Sequence, residues 1–241
     1  MELLPLKSRL LKPGGDLLTA FRKAIGKGKL KEGDVIVVAS KAVAYSQGRL
    51  MSVESKKKFR ELIKKEADAV LEDGEMVITL KNQILIPNAG IDNSNTPKGT
   101  VVLWPERPFE AARDLLKKLK KIEKIKKLGM IISDSHCQPL RMGTSGIAIG
   151  WAGFYGVQDE RGKKDLFGKK MVYTQIAVAD DLASAANLLM GETDASVPFV
   201  IARGLDVKWS DKAFSEKDYF IHPKKCIYKH FYSSDFKNLK T

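Results

Sequence analysis

Apolar and polar positions divide the chain into short continuous runs and longer periodic stripes. Residues 35–39 and 128–132 are unbroken, β-branched apolar runs of strand length, and 198–202 is a third. Such runs predict strands buried on both faces. Residues 100–104 and 171–178 predict further strands, and 76–80 with 83–86 predict a hairpin turning at Lys81-Asn82. Stripes of helical period fall elsewhere. Phe59, Leu62, Ile63, Ala67, Val70 and Leu71 predict a helix over 54–73, and Ala112, Leu115, Leu116, Leu119 and Ile122 predict one over 109–127. A shorter helix follows Asp16, a natural N-cap, from Leu17 to about Gly26. The Ala- and Leu-rich segment 182–190 predicts another, with Asp180 and Asp181 at the positive end of its dipole and Gly191 as its terminator. Strands and helices interspersed this way predict a mixed α/β fold.

Composition narrows the class without deciding it. In 241 residues, 44% are hydrophobic and 29% charged, enough apolar material for a substantial core. No run approaches the roughly 18 apolar residues of a membrane span. The first residues carry an acid early and lack the long apolar core of a secretion signal. Two cysteines, Cys137 and Cys226, make no disulfide framework or ligand-spaced cluster, so the expectation is a cytoplasmic protein without membrane partners. The formal charge of +13, from 42 Lys plus Arg against 29 Asp plus Glu, favours anionic partners such as nucleoside triphosphates or polycarboxylates. Nucleic acid is disfavoured: the lysines are spread over helix faces and the tail, with no zinc-finger, RRM or helix-turn-helix signature.

Three acidic stretches follow apolar elements. Ser133-Asp134-Ser135 ends the run at 128–132 and leads into Arg141, Gly143, Gly146 and Gly150, glycines expected to let backbone approach an anionic ligand. Asp92 and Asn95 occupy a turn after Gly90, and Glu192 follows Gly191. Each stretch alone reads as an ordinary polar turn. Brought together, carboxylates and hydroxyls form the hard oxygen set that Mg²⁺ or Mn²⁺ prefers in phosphoryl chemistry. Lys41, just past the run at 35–39, could reach a phosphate.

Four motifs in register carry a resemblance: N-A-G-I-D-N-S-N at 88–95, S-D-S…R-x-G-x-x-G-I-A-I-G at 133–150, G-K-K-D-L-F-G at 162–168 and A-N-L-L-M-G-E at 186–192. In order and spacing across about residues 8–204, the chain resembles the coenzyme F420-0:γ-glutamyl ligase family, including its folate γ-glutamyl ligase-like branch. The resemblance implies an intertwined homodimer of two interleaved subdomains. It also implies a nucleotide- and metal-dependent ligase that joins L-glutamate to a carboxylate acceptor, F420-0 or folate, through an acyl phosphate, using GTP or ATP. It assigns metal binding to Asp92, Asp134, Ser135 and Glu192. Nucleotide binding falls to Ser8, Arg9, Leu10, Leu11, Ser40, Lys41, Asn95, Met190, Gly191, Glu192, Thr193, Asp194, Ala195, Ser196 and Val197. Asp134 and Arg141 are the catalytic candidates, and His136, Cys137 and Gly146 are acceptor-binding candidates.

The domain expected to match spans 1–204, with 205–241 a lysine- and aromatic-rich extension that carries no assignable role. The loop at 153–168 is the candidate lid. Two departures stand out: Tyr45 where the family places a nucleotide-contacting lysine, and His136-Cys137-Gln138 with Arg141-Met142 where the family continues N-G-R and an arginine pair. Fewer arginines would weaken a phosphodiester acceptor, which keeps folate beside F420-0. A non-catalytic relative binding nucleotide or nucleic acid is the alternative of a different class.

Overall fold

In the computed structural model, which describes residues 1–230, the apolar runs at 35–39 and 128–132 lie side by side at the centre of the main sheet. In chain order, β1 (Glu2–Leu6) precedes α1 (Leu17–Ile25), whose first turn is capped by the Asp16 carboxylate accepting the Leu18 N–H. β2 (Asp34–Ala39) passes directly into α2 (Ser40–Ser46). Next come β3 (Leu50–Ser52), α3 (Lys56–Glu66), β4 (Ala69–Asp73), β5 (Val77–Lys81), β6 (Ile84–Pro87) and β7 (Thr100–Val102). α4 (Pro108–Glu123) leads to the long hairpin of β8 (Leu128–Cys137) and β9 (Thr144–Ala152). β10 (Gln158–Asp159), β11 (Gln175–Ile176), α5 (Val178–Met190) and β12 (Phe199–Arg203) complete the regular elements.

The main sheet has the order β1-β12-β2-β8-β9. Only β2 and β8 run parallel; the other neighbours are antiparallel. Leu17 and Phe21 of α1, with Ala112, Leu116 and Leu119 of α4, cover one face over Ile36, Val38, Met130 and Ile132. The other face, Val35, Val37, Ile131 and Val200, lies under Ala179, Leu182, Ala183 and Ala186 of α5. Burial on both sides is why these strands read as continuous apolar runs instead of alternating ones.

A second body is inserted between α2 and α4. Its β3-β7 and β4-β5-β6 sheets enclose a separate core of Ile63, Val77, Ala89, Ile91, Val101 and Leu103. Beyond β12 the chain remains on the main core: Phe214 is buried, Trp209 bridges to Phe154, and Tyr219 meets the Trp151 ring edge-on. Residues 231–241, including Phe231 of the basic tail, lie outside the described residues. Among the described residues, no helix is long and apolar enough to cross a membrane.

Several local expectations are corrected. The stripe at 54–73 is one helix only to Glu66; Val70 and Leu71 belong to β4, because a helical stripe and a half-exposed strand share apolar positions over so short a span. The predicted strand at 171–178 reduces to β11, and Val178 already opens α5, so Asp180 and Asp181 lie within its first turn. The strand run at 128–132 continues through Ser133-Asp134-Ser135 to Cys137, since hydroxyl- and carboxylate-bearing residues can pair in a ladder while their side chains face a cleft. Gly146 and Gly150 are close-packed against helices. A Cβ on Gly146 would collide with the Ala183 backbone of α5, and one on Gly150 would lie 2.6 Å from the Pro108 carbonyl carbon of α4. The loop at 153–168 begins as core, with Phe154 fully buried, and none of its residues lines the cleft described next.

Candidate functional site

The cleft forms where β2 ends and β8 continues alone. Ala39 pairs with Ser133, the last register between these strands; α2 then turns away, and Asp134 and Ser135 continue in a ladder with β9. A bulge between Ile132 and Ser133 re-aims this stretch, a device common beside binding sites. The opening beyond the carboxyl ends of neighbouring parallel strands is a usual ligand position in α/β sheets. Its volume is about 410 Å³. Five segments line it: Ser8, Arg9, Leu10 and Leu11; Ser40, Lys41 and Tyr45 of α2; Asp92, Ser94 and Asn95; Ser133, Asp134 and Ser135; and residues 190–197 apart from Ala195.

The two aspartates of the cleft differ sharply in surroundings. Asp134 accepts the Trp104 indole N–H at Oδ2 and the Ser135 backbone N–H at Oδ1, 2.8 Å away. Burial pushes its carboxyl up to about 6, against those hydrogen bonds and one from Ser40, and the Asp92 charge adds to the rise. For Asp92, burial also acts upward, but the Lys41 ammonium and two hydrogen bonds from Ser94 outweigh it and hold the carboxyl below its usual range. Lys41 Nζ stands 2.7 Å from Asp92 Oδ2. Ser94 donates its N–H to Asp92 Oδ1 at 2.7 Å and its hydroxyl to Oδ2 at 2.8 Å, an Asx-type turn closed on itself.

Glu192 enters from the opposite rim. Its Oε1 accepts the Asn187 amide at 2.9 Å and the Thr144 hydroxyl at 3.3 Å. Asn95 straps the two rims together by donating its amide to the Thr193 carbonyl at 2.6 Å, and the Tyr45 hydroxyl donates to the Asn95 carbonyl at 3.3 Å. All three predicted carboxylates thus line one cleft, yet among the described residues no three His, Cys, Asp or Glu side chains converge on one ion position. The donor chemistry nevertheless suits a hard divalent cation. The Asp92 charge raises the cost of ionising Asp134, and the buried Ser133 hydroxyl, which lines the cleft, has no hydrogen-bond partner among the described residues.

Other predicted residues fall elsewhere. Arg141 is exposed in the connection between β8 and β9, outside the cleft lining, because the hairpin carries it past the end of the sheet. Its assignment as catalytic is therefore not supported by its position in this chain. His136 and Cys137 also lie beyond the lining: the His136 ring contacts the Ser145 carbonyl at 3.1 Å, and Cys137 is exposed. Gly146 is occupied with α5. Conversely, sequence reasoning missed Trp104, Thr144 and Asn187, which orient Asp134 and Glu192. A tryptophan at the end of a strand and polar residues on a hairpin or helix carry no signal until the fold brings them to a carboxylate. Tyr45 was noticed as a departure, but not as a buried wall of the cleft.

With this geometry in hand, comparison with known proteins is informative. A sequence profile described as F420-0:Gamma-glutamyl ligase matches residues 5–204. The chain is 34% identical over 223 residues to the Coenzyme F420:L-glutamate ligase of Methanopyrus kandleri, covering 85% of this chain and 86% of that protein. It is also 34% identical to the enzyme of the same name from Methanocaldococcus jannaschii, over 88% of this chain and 90% of the relative. The Methanosarcina mazei protein of that name is 34% identical over 83% of this chain and 84% of its own length. Extent and agreement together establish that this chain belongs to the F420-0:gamma-glutamyl ligase family.

Proposed function

We propose that this chain forms an amide bond between L-glutamate and an F420-0-type carboxylate acceptor, driven by GTP or ATP and a divalent metal, Mg²⁺ or Mn²⁺. The observation that carries this reading is the single cleft holding Asp92, Asp134 and Glu192 together with Lys41, Ser40 and Asn95. A carboxylate is a poor electrophile and must be activated. Its oxygen takes the γ-phosphoryl group and the nucleoside diphosphate leaves. The α-amine of glutamate then attacks the acyl carbon, inorganic phosphate departs, and the nitrogen gives up a proton as the amide forms. A divalent cation held by Asp92, Asp134, Ser135 and Glu192 would supply charge neutralisation on the phosphoryl oxygens. The chain's own groups bind and orient: Trp104 fixes the Asp134 carboxylate, Asn187 and Thr144 fix Glu192, and the Met190 and Val197 side chains with Leu10 and Leu11 offer an apolar wall for a heterocycle. Three carboxylates along the walls argue against a nucleic-acid backbone as the ligand.

The direct test incubates the protein with glutamate, each nucleotide, each metal and either F420-0 or folate, measuring glutamylated product and phosphate release together. The expected outcome is amide and phosphate in equal amounts, with F420-0 the better acceptor. Product formation without nucleotide, or no product with either acceptor, would remove the proposal. We also infer a homodimer, supported by Leu166, Phe167 and Tyr173, which are 100%, 95% and 89% exposed on the arm between β10 and β11, where a second copy would cover them. Light scattering showing a monomer at micromolar concentration would refute it.

A further inference from the structure

We propose that the Lys41 ammonium is a resident counter-ion that occupies the cation position beside Asp92 and surrenders it when a divalent metal enters; this rests on the metal-dependent reading above. An ammonium has three N–H donors and no acceptor. Lys41 directs contacts of 2.7 Å to Asp92 Oδ2, 2.9 Å to the Ser94 hydroxyl and 3.0 Å to the Ser94 carbonyl. All three partners are hard oxygens from one turn, the donor chemistry that a magnesium or manganese ion also seeks. A metal at Asp92 and the ammonium against the same oxygen cannot coexist without strong repulsion, so the two exchange.

The chain is built to make that exchange useful. Lys41 lies in the first turn of α2, next to Ser40, and both line the cleft. Its side chain is 29% exposed, so release requires no unpacking of the core. An ammonium displaced from Asp92 stays within the cleft on a four-carbon arm, free to meet an anionic oxygen of a phosphate. Metal entry and phosphate binding are thereby coupled through one side chain, and by linkage each favours the other. In the absence of metal the same ammonium pairs with Asp92, whose charge adds to the repulsion felt by Asp134.

The test titrates Mn²⁺ without nucleotide, following free Mn²⁺ by electron paramagnetic resonance, for wild type, Lys41→Met, Lys41→Arg and Asp92→Asn. Removing the competitor in Lys41→Met should tighten Mn²⁺ about three- to fivefold, the range of a partly exposed ion pair. Lys41→Arg should stay near wild type and Asp92→Asn should bind more weakly. Wild-type Mn²⁺ binding with equal or weaker binding in Lys41→Met would overturn the exchange and leave metal dependence standing. No Mn²⁺ binding in wild type would remove both. A second measurement needs no variant: reductive methylation of Lys41, read by mass spectrometry, should accelerate severalfold in saturating Mg²⁺. An unchanged rate with Mg²⁺ bound would refute the exchange.

Discussion

Asp134 stands on β8 inside the main sheet, whereas Asp92 stands on a turn of the inserted body, and the same functional group meets opposite conditions in the two places. The strand holds Asp134 between an indole and a backbone N–H, with no ion pair to it among the described residues, and its carboxyl rises to about 6. The turn folds Ser94 and Lys41 around Asp92 and holds its carboxyl down. The comparison teaches that one wall of the cleft is preorganised at a cost in stability, while the other is locally neutralised and adjustable. Destabilised, rigidly placed charge is what a site built to receive a cation would retain.

The largest effect should come from removing the preorganised charge. Asp134→Asn keeps shape but loses the charge and one of the two oxygens that accept from Trp104 and Ser135, and amide formation should fall about 10³-fold or more, equivalent to about 4 kcal/mol in the barrier. Turnover within tenfold of wild type, measured with saturating nucleotide and metal, would show that the strand-borne aspartate does not do this work.

Next in size is a test of how the preorganised wall is held. Gly146→Ala would press a methyl group into the Ala183 backbone of α5, which cannot step aside as a flexible side chain could. Overpacking of this kind typically costs about 1–3 kcal/mol, so Tm should fall by roughly 3–10 °C. Gly143→Ala supplies the contrast: nothing lies within 4 Å of its Cβ position, and only the left-handed backbone (φ +90°) penalises it, by about 1 kcal/mol. Equal melting temperatures for the two variants would contradict the packing role given to Gly146.

The same glycines show what the sequence could and could not convey. The doubly covered strands β2 and β12 and the stripes of α1 and α4 were legible because burial on both faces, or on one stripe, leaves a period in the residues themselves. α2 was not anticipated: seven residues directly after a strand, with no side-chain cap, give too short a window for a helical period. β9 is not legible as a strand because Gly146 and Gly150 mark close approach of something, and nothing local says whether that is an anionic ligand or a helix. Of the site, Asp92, Asp134 and Glu192 stood out as acids beyond apolar elements and do line one cleft. Trp104 lies 30 residues from Asp134 and Thr144 lies 48 from Glu192, so these pairings exist only through the fold.

A smaller effect separates the function of Asp134 from its stability. Its folded-state carboxyl, at about 6, lies above the ordinary 3.8. Between those values the folded protein keeps a proton that the unfolded chain has released. The contribution to stability is therefore complete below about pH 4 and is lost as pH rises through 6. At about 1.4 kcal/mol per pH unit, the ionised carboxylate costs on the order of 2 kcal/mol at pH 8 once partial solvation is allowed for. In EDTA, the melting temperature of Asp134→Asn relative to wild type should thus rise by a few degrees between pH 4 and pH 8, because only the wild-type carboxyl ionises over that range. A difference that stays constant from pH 4 to pH 8 would show that the Asp134 charge is already compensated.

The smallest effect should have the opposite sign. Asp92 is held below its ordinary pKa, so its ionised form contributes stability above pH 3.8 that disappears as pH falls through the folded value. Its ion pair with Lys41 is substantially solvated, with side chains 43% and 29% exposed, and such pairs contribute about 0.2–1 kcal/mol. Asp92→Asn in EDTA at pH 8 should therefore lower Tm by no more than about 1–4 °C, and the loss should shrink further in 1 M salt, where screening acts over about 3 Å. Stabilisation by Asp92→Asn would erase the contrast with Asp134, because it would mean that the Lys41 ammonium does not neutralise the turn and that both aspartates bear the same uncompensated charge.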